Sequence, residues 1–93
     1  MAFGQIELAE FKGMTTFPQK AASAWHAAMN GLTGAGYKPL LFVGTQIVKG
    51  TNYYFICEQT LTTRNPERHL VKLAINEFNN VYELVPYSIE RIF

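Results

Sequence analysis

The sequence is poor in the residues that several common kinds of functional site need. It has one cysteine, Cys57, so no disulfide can form within the chain, and a lone cysteine fits a reducing compartment. Its only histidines are His26 and His69, and no zinc-binding spacing joins them to Cys57. We therefore expect neither a metal nor another cofactor.

Concentrated charge is also missing. Eight Lys and Arg residues stand against seven Asp and Glu residues, which gives a net charge of +1, and the basic residues form no run. Nucleic acids and anionic membranes attract proteins through concentrated positive charge, so neither is an expected partner.

Long apolar runs are absent as well. The longest, from Pro39 to Val43, is far shorter than the roughly 20 residues that a membrane-spanning helix needs. The first residues, Met1 to Gln5, lack the basic and apolar parts of a secretory signal, so we expect a cytoplasmic protein. A secreted form whose signal had been removed would look the same, and secretion of a processed form stays open.

The sequence does have ample apolar material. Apolar residues make up 48% of it and aromatic residues 14%, which favours a folded chain over a disordered one. A chain of 93 residues accommodates one modest core. We therefore expect a single domain, residues 1–93.

The first third of the chain predicts a strand and then a helix. Apolar and polar residues alternate from Gln5 to Lys12, as in a half-buried strand. The helix is expected from about Phe17 to about Asn30, with Thr16 and Gln19 forming a capping box and Pro18 in the first turn. Apolar residues at spacings of three and four predict its buried face: Ala21, Ala22, Trp25, Ala28, Met29 and Leu32.

The rest of the chain is rich in β-branched and aromatic residues and predicts four strands. These are about Leu40–Val48, Thr51–Thr62, His69–Phe78 and Val81–Ile92. Turns are expected at Lys49-Gly50 and Asn79-Asn80, because Gly and Asn tolerate the left-handed conformation. Two sets of side chains are expected to face the helix: Tyr53, Phe55 and Cys57, and Val71, Leu73 and Ile75.

Two points in this β region stay open. The segment Leu70 to Ala74 could instead form a helical turn. Pro86 cannot donate a ladder hydrogen bond, so the last strand should lie at a sheet edge or contain a bulge. The whole pattern predicts an α+β fold, in which a four- to five-stranded antiparallel sheet wraps one α-helix and neighbouring strands pair in sequence order.

The predicted first hairpin carries the most informative motif. Residues 45–54 read Thr-Gln-Ile-Val-Lys-Gly-Thr-Asn-Tyr-Tyr. Gln46, Val48 and Gly50 resemble the Gln-x-Val-x-Gly signature of the cystatins, and the following Asn-Tyr extends the match. The resemblance runs from about Thr45 to Leu70 and is closest to the stefin branch, whose members are of similar length and lack signal peptides and disulfides.

This resemblance implies a cystatin-like fold and reversible, tight-binding inhibition of papain-like cysteine proteases. Cystatins insert an N-terminal segment and two hairpin loops into the protease cleft as a wedge. The residues that the resemblance assigns to the first loop are Gln46, Ile47, Val48, Lys49 and Gly50. Lys49 stands where the family commonly has a small residue, which could change the preferred protease.

The other two parts of the wedge are matched less closely. Gly4 is the candidate for the family's N-terminal glycine, and Gly13 is the alternative. Pro86 and Tyr87 are candidates for the second loop, where secreted cystatins often carry Pro-Trp, although Asn79-Asn80 is the stronger turn signal.

Two other classes of function compete with inhibition. One is a non-inhibitory protein-binding module on a cystatin-like fold. The other is an enzyme in which Cys57 acts as nucleophile with His26 or His69 as base. The chain has no local signature of a catalytic cysteine, so we expect no enzymatic activity.

The chain is expected to be a monomer, or a dimer that swaps domains by straightening the first hairpin.

Overall fold

The computed structural model describes residues 6–8, 18–30 and 35–93, and of residues 6–8 only the backbone. The elements are β1 (Ile6–Leu8), α1 (Gln19–Met29), β2 (Ala35–Val48), β3 (Gly50–Leu61), β4 (Glu67–Phe78), β5 (Val81–Leu84) and β6 (Glu90–Arg91). The described part of the chain therefore has the predicted α+β composition, with one helix and an antiparallel sheet. None of its helices is long and apolar enough to cross a membrane.

The strands pair in the predicted sequential order. From β1 to β5 each strand lies beside the next one in the chain, and the two-residue β6 pairs with β4 beyond the end of β5. β3 is the central strand, with long antiparallel ladders to β2 on one side and β4 on the other. From β2 to β5 the connections between consecutive strands are short, which makes a meander the simplest topology for these four strands.

The helix begins later than predicted. Pro18 is its N-cap rather than a residue of its first turn, and the Pro18 carbonyl accepts a hydrogen bond from the amide of Ala22 at 3.0 Å. No side chain caps this end, and Thr16, the expected cap, lies outside the described residues. Proline suits the N-cap because the amide it lacks would have had no partner in the helix.

Strand β2 is longer than predicted, because it begins at Ala35 and passes through Pro39. The register with β3 shifts between Pro39 and Leu41 and again between Phe42 and Gly44. Pro39 itself pairs with Cys57, and the residue that this first bulge leaves out of the ladder is the adjacent Leu40. β4 is a continuous strand, so the alternative of a helical turn at 70–74 is wrong.

The last predicted strand divides into β5 and β6, both beside β4 at the sheet edge. The interruption includes Pro86, as the missing donor requires. Val85 still donates to the carbonyl of Ala74 at 2.9 Å, but the amide of Ala74 then bonds to the hydroxyl of Ser88 at 3.1 Å rather than to a neighbouring strand. A side chain thus replaces the ladder bond that the turn removes.

The core lies between α1 and the sheet face that the sequence predicts. The helix contributes Trp25, and its ring packs edge-on against Phe55 with ring centroids 5.1 Å apart. Ala24, which the predicted helix face omits, is fully buried, whereas Ala22 is only partly buried and Leu32 lies outside the described residues. The buried apolar residues packed together are Ala21, Ala24, Trp25, Phe55, Cys57, Val71, Leu73 and Ile75.

We predict that Leu73→Ala destabilises the protein, because Leu73 is only 1% exposed and its removal leaves a cavity between helix and sheet. The free energy of unfolding should fall by about 2–5 kcal/mol in urea denaturation. Ile92→Ala is the control, since Ile92 is 47% exposed, and it should change stability by about 0.5 kcal/mol or less. Equal losses in the two variants would contradict this placement of the core.

Candidate functional site at the hairpin end of the sheet

The first hairpin joins β2 to β3 over a single residue outside the ladder, Lys49. Val48 pairs with Gly50, and Ile47 pairs with Thr51. Gly50 has a φ of 82°, the left-handed conformation that the sequence predicts for it. The motif residues 46–50 therefore form the tip of a tight hairpin, as predicted.

A second hairpin turns at the same end of the sheet, through Asn79 and Asn80 between β4 and β5. Their φ angles are 50° and 63°, as in the two-residue turns that suit antiparallel strands. Glu77 pairs with Thr51, which places this turn next to the first hairpin. We call this end of the sheet, residues 46–52 and 76–83, the hairpin end.

The backbones of the two hairpins approach each other closely at Gly50. A Cβ atom placed on Gly50 would overlap the carbonyl oxygen of Glu77 and lie 3.1 Å from the Cβ of Phe78. Position 50 thus requires glycine for two reasons, the left-handed conformation of the turn and the close contact with β4.

Side chains also join the hairpins. The Asn76 amide donates hydrogen bonds to the carbonyl oxygen of Lys49 at 3.0 Å and to the side-chain oxygen of Asn52 at 2.9 Å. The ammonium group of Lys49 lies 5.4 Å from the centroid of the Phe78 ring, within cation–π range. The Lys49 residue at the tip of the first hairpin therefore contacts the second hairpin through both its backbone and its side chain.

Gln46 is held differently from the rest of the motif. Its side-chain oxygen accepts a hydrogen bond of 2.5 Å from the hydroxyl of Tyr54 on β3. The bond holds the Gln46 side chain against β3, three residues before Lys49 at the tip. Ile47 and Val48 are partly buried rather than fully exposed.

A shallow depression of about 350 Å³ lies between the hairpins, lined by Lys49, Asn76, Phe78, Asn79, Val81 and Glu83. Its apolar surface comes from Phe78 and Val81, which are 41% and 56% exposed and pair across the turn. Its charged groups are the Lys49 ammonium and the Glu83 carboxylate. Nearby, the Glu77 carboxylate accepts the amide of Asn80 at 3.0 Å and so supports the second turn.

The edge strand β1 starts at the hairpin end. Ile6 pairs with Gln46, and Leu8 pairs with Gly44, so the chain enters the sheet beside the first hairpin. Gly4 and Gly13, the two candidates for the N-terminal glycine, lie outside the described residues.

Pro86 and Tyr87 do not belong to the second hairpin. Their turn lies beside Ala74, about 10 Å along β4 from Glu77. Tyr87 is fully exposed and has a φ of 61°. The second turn at the hairpin end is Asn79-Asn80, the stronger of the two sequence signals, and a protease contact by Pro86 or Tyr87 stays a prediction.

The cysteine and the two histidines lie in different surroundings, and the Cys57 thiol donates to the carbonyl oxygen of Val71 at 3.8 Å. Cys57 is fully buried, and burial raises the pKa of its thiol to about 12, so almost none of it is the nucleophilic thiolate at neutral pH. His26 is exposed on the helix, while His69 lies 3.2 Å from the Glu67 carboxylate. Across residues 6–8, 18–30 and 35–93 no group of three or more potential ligand side chains could hold a metal ion.

Two residues of the hairpin end carry no sequence signal of their importance. Asn76 reads as an ordinary polar residue on the outer face of β4, and Phe78 as the end of a strand. Their roles depend on the pairing of β3 with β4, which places both beside Lys49. No sequence motif identifies Asn76 and Phe78; only the register that pairs β3 with β4 does.

Comparisons of the chain with protein-family models, with curated proteins and with solved structures found no match.

We predict that Gly50→Ala is strongly destabilising, because the new methyl group meets the Glu77 carbonyl and the residue keeps a positive φ. The loss should exceed about 2 kcal/mol in chemical denaturation. Gly36→Ala is the matched control, since its Cβ would come no closer than 4.0 Å to the Thr60 carbonyl. Similar stability of the two variants would contradict the close approach of the hairpins.

The buried thiol of Cys57 should make the stability of the protein fall at alkaline pH. Its pKa is raised in the folded protein to about 12 from an ordinary value of 9.0, so the folded state holds the proton more tightly than the unfolded state. The stability that this contributes is complete below about pH 9 and is lost as the pH rises toward 12. Unfolding free energies of the wild type and of Cys57→Val, measured from pH 7 to pH 11, should show a steeper alkaline decline in the wild type. Parallel curves would contradict the burial of the thiol.

Proposed function

We propose that this chain is a cystatin-like, reversible and tight-binding inhibitor of papain-like cysteine proteases. The hairpin end would enter the active-site cleft and exclude the substrate. The main contact is assigned to Gln46, Ile47, Val48, Lys49 and Gly50, with the second hairpin and the N-terminal segment on either side.

The observation that carries this proposal is the meeting of three elements at one end of the sheet. The start of β1, the first hairpin and the second hairpin are neighbours there, in that spatial order. An inhibitor that occludes a long cleft needs such a row of projecting segments. The motif that resembles cystatins forms the middle one.

The chemistry of the first hairpin suits contact with a protein cleft. Ile47 and Val48 supply apolar side chains, which gain free energy when a partner removes them from water. Gly50 keeps the turn narrow, and the contacts with Asn76 and Phe78 fix the tip before binding. A surface that is already ordered loses less conformational entropy on association.

The second hairpin adds apolar area without a tryptophan. Phe78 and Val81 are exposed beside Lys49, and we assign them the part that an aromatic second loop plays in secreted cystatins. Lys49 brings a positive charge to the tip, so we expect proteases with acidic cleft rims to bind best. We place the protein in the cytoplasm, or outside the cell if the chain is a processed form.

The proposal is tested by titrating papain with the purified protein and with Val48→Asp. The wild type should inhibit at submicromolar concentration. A carboxylate at the centre of a desolvated contact should raise the inhibition constant about thirtyfold or more, equivalent to about 2 kcal/mol.

Ile92→Asp is the control, because Ile92 is exposed and pairs near the opposite end of β4. It should leave the inhibition constant unchanged. Failure of the wild type to inhibit papain at micromolar concentration would refute the proposed function, and would favour a binding module without inhibitory activity. Equal inhibition by wild type and Val48→Asp would refute the first hairpin as the contact.

A further inference from the structure

We propose that Asn76 is the positioning residue of the hairpin end: it fixes the first hairpin in its binding geometry although it belongs to β4. This deepens the proposed function and rests on it for its effect on inhibition. The effect on the geometry of the hairpin does not depend on any protease.

The position of Asn76 gives it this role. It pairs with Asn52 in the ladder between β3 and β4, and with Glu83 in the ladder between β4 and β5. One strand of each hairpin, β3 of the first and β5 of the second, therefore lies beside Asn76, so a bond from its side chain can connect the hairpins.

The two hydrogen bonds of the Asn76 amide make the connection. One reaches the carbonyl of Lys49, 27 residues away in the sequence, at 3.0 Å. The other reaches the Asn52 side chain at 2.9 Å, which fixes the orientation of the amide group. Because Lys49 lies outside the β2–β3 ladder, a bond from outside the hairpin restrains its peptide plane where the ladder does not.

Two further contacts depend on the same geometry. The Lys49 ammonium lies over the Phe78 ring only while the Lys49 backbone stays near β4. Gly50 also lies close to the Glu77 carbonyl, so the tip approaches β4 through its backbone as well as through the Asn76 bond. The cation–π contact at an exposed site is weak by itself, and the hydrogen bond is what orients the turn.

The consequence for binding follows from the fraction of molecules whose tip is correctly placed. If the tip samples other conformations, the apparent affinity equals the intrinsic affinity multiplied by the fraction of molecules with a correctly placed tip. A typical intramolecular hydrogen bond changes such an equilibrium about fivefold. Loss of the Asn76 donors should therefore weaken inhibition by at most about fivefold, without removing any group of the motif.

The experiment uses two variants and one matched control. Asn76→Asp has nearly the shape of asparagine but no amide donors, and Asn76→Ala removes the donors without adding charge. Asn65→Asp makes the same chemical change in the exposed link between β3 and β4, at the opposite end of the sheet.

The first readout is ¹⁵N relaxation of Lys49 and Gly50 in the free protein. Both Asn76 variants should lower the order parameters there from about 0.85, typical of rigid backbone, toward about 0.6. Asn65→Asp should leave them unchanged. The second readout is inhibition of papain, where both Asn76 variants should raise the inhibition constant measurably, by up to about fivefold and mainly through slower association, at a temperature where each variant remains fully folded.

Unchanged order parameters at Lys49 and Gly50 in both Asn76 variants would overturn the positioning role. So would an unchanged inhibition constant in a protein that does inhibit. If the wild type does not inhibit papain, the proposed function fails, and the relaxation measurement alone then decides whether Asn76 positions the hairpin.

Discussion

The packing of Phe55 beneath Trp25 is the contact on which the rest of the structure depends. Phe55 lies in the central strand β3 and is fully buried, and the Trp25 ring meets it edge-on at 5.1 Å. Ala21 and Ala24 are fully buried on the same helix face, and their small side chains allow the helix to approach the sheet. Since side chains alternate along a strand, this contact decides which face of β3 is inward.

The orientation of β3 in turn determines both hairpins. β3 pairs along its whole length with β2 and over residues 51–61 with β4, so its register sets where β2 ends and where β4 turns. A shift of one residue would move Phe55 and Cys57 to the solvent face and expose the core. The apolar core thus determines the positions of the tip residues, although none of those residues belongs to it.

Much of this fold could be predicted from the sequence because the signals are local. Alternation in β3 and β4 correctly predicts their inward side chains, and the left-handed Gly50, Asn79 and Asn80 follow from turn chemistry. The start of the helix and the length of β2 could not be predicted as well. Both involve a proline, Pro18 at the N-cap of the helix and Pro39 in the ladder next to the bulge at Leu40.

The candidate site divides in the same way. The first hairpin could be identified from a motif, since Gln46 to Gly50 are adjacent in the sequence. The contribution of Asn76 and Phe78 could not, because they meet Lys49 only through the pairing of β3 with β4. Pro86 and Tyr87 illustrate the opposite case, in which a dipeptide suggested by the resemblance lies in a different turn from the one that shares the hairpin end.

The contacts around the first hairpin bear on whether it opens. Domain swapping, the alternative to a monomer that the sequence suggests, would require β2 and β3 to straighten at the tip. Val48, beside the tip, is not among the non-glycine residues that have a positive φ in the described part of the chain. The left-handed residue is Gly50, which adopts that conformation without strain.

Straightening would therefore release little strain at this tip, and it would break the Asn76 bond and separate Lys49 from Phe78. Each of these losses is small, but both oppose opening, and the overlap that excludes a side chain at Gly50 shows how closely the tip fits against β4. The interactions that order the tip for a partner are thus the same ones that keep the hairpin closed. In the proposed inhibitor, preorganisation of the first hairpin and resistance to domain swapping would have a common physical origin.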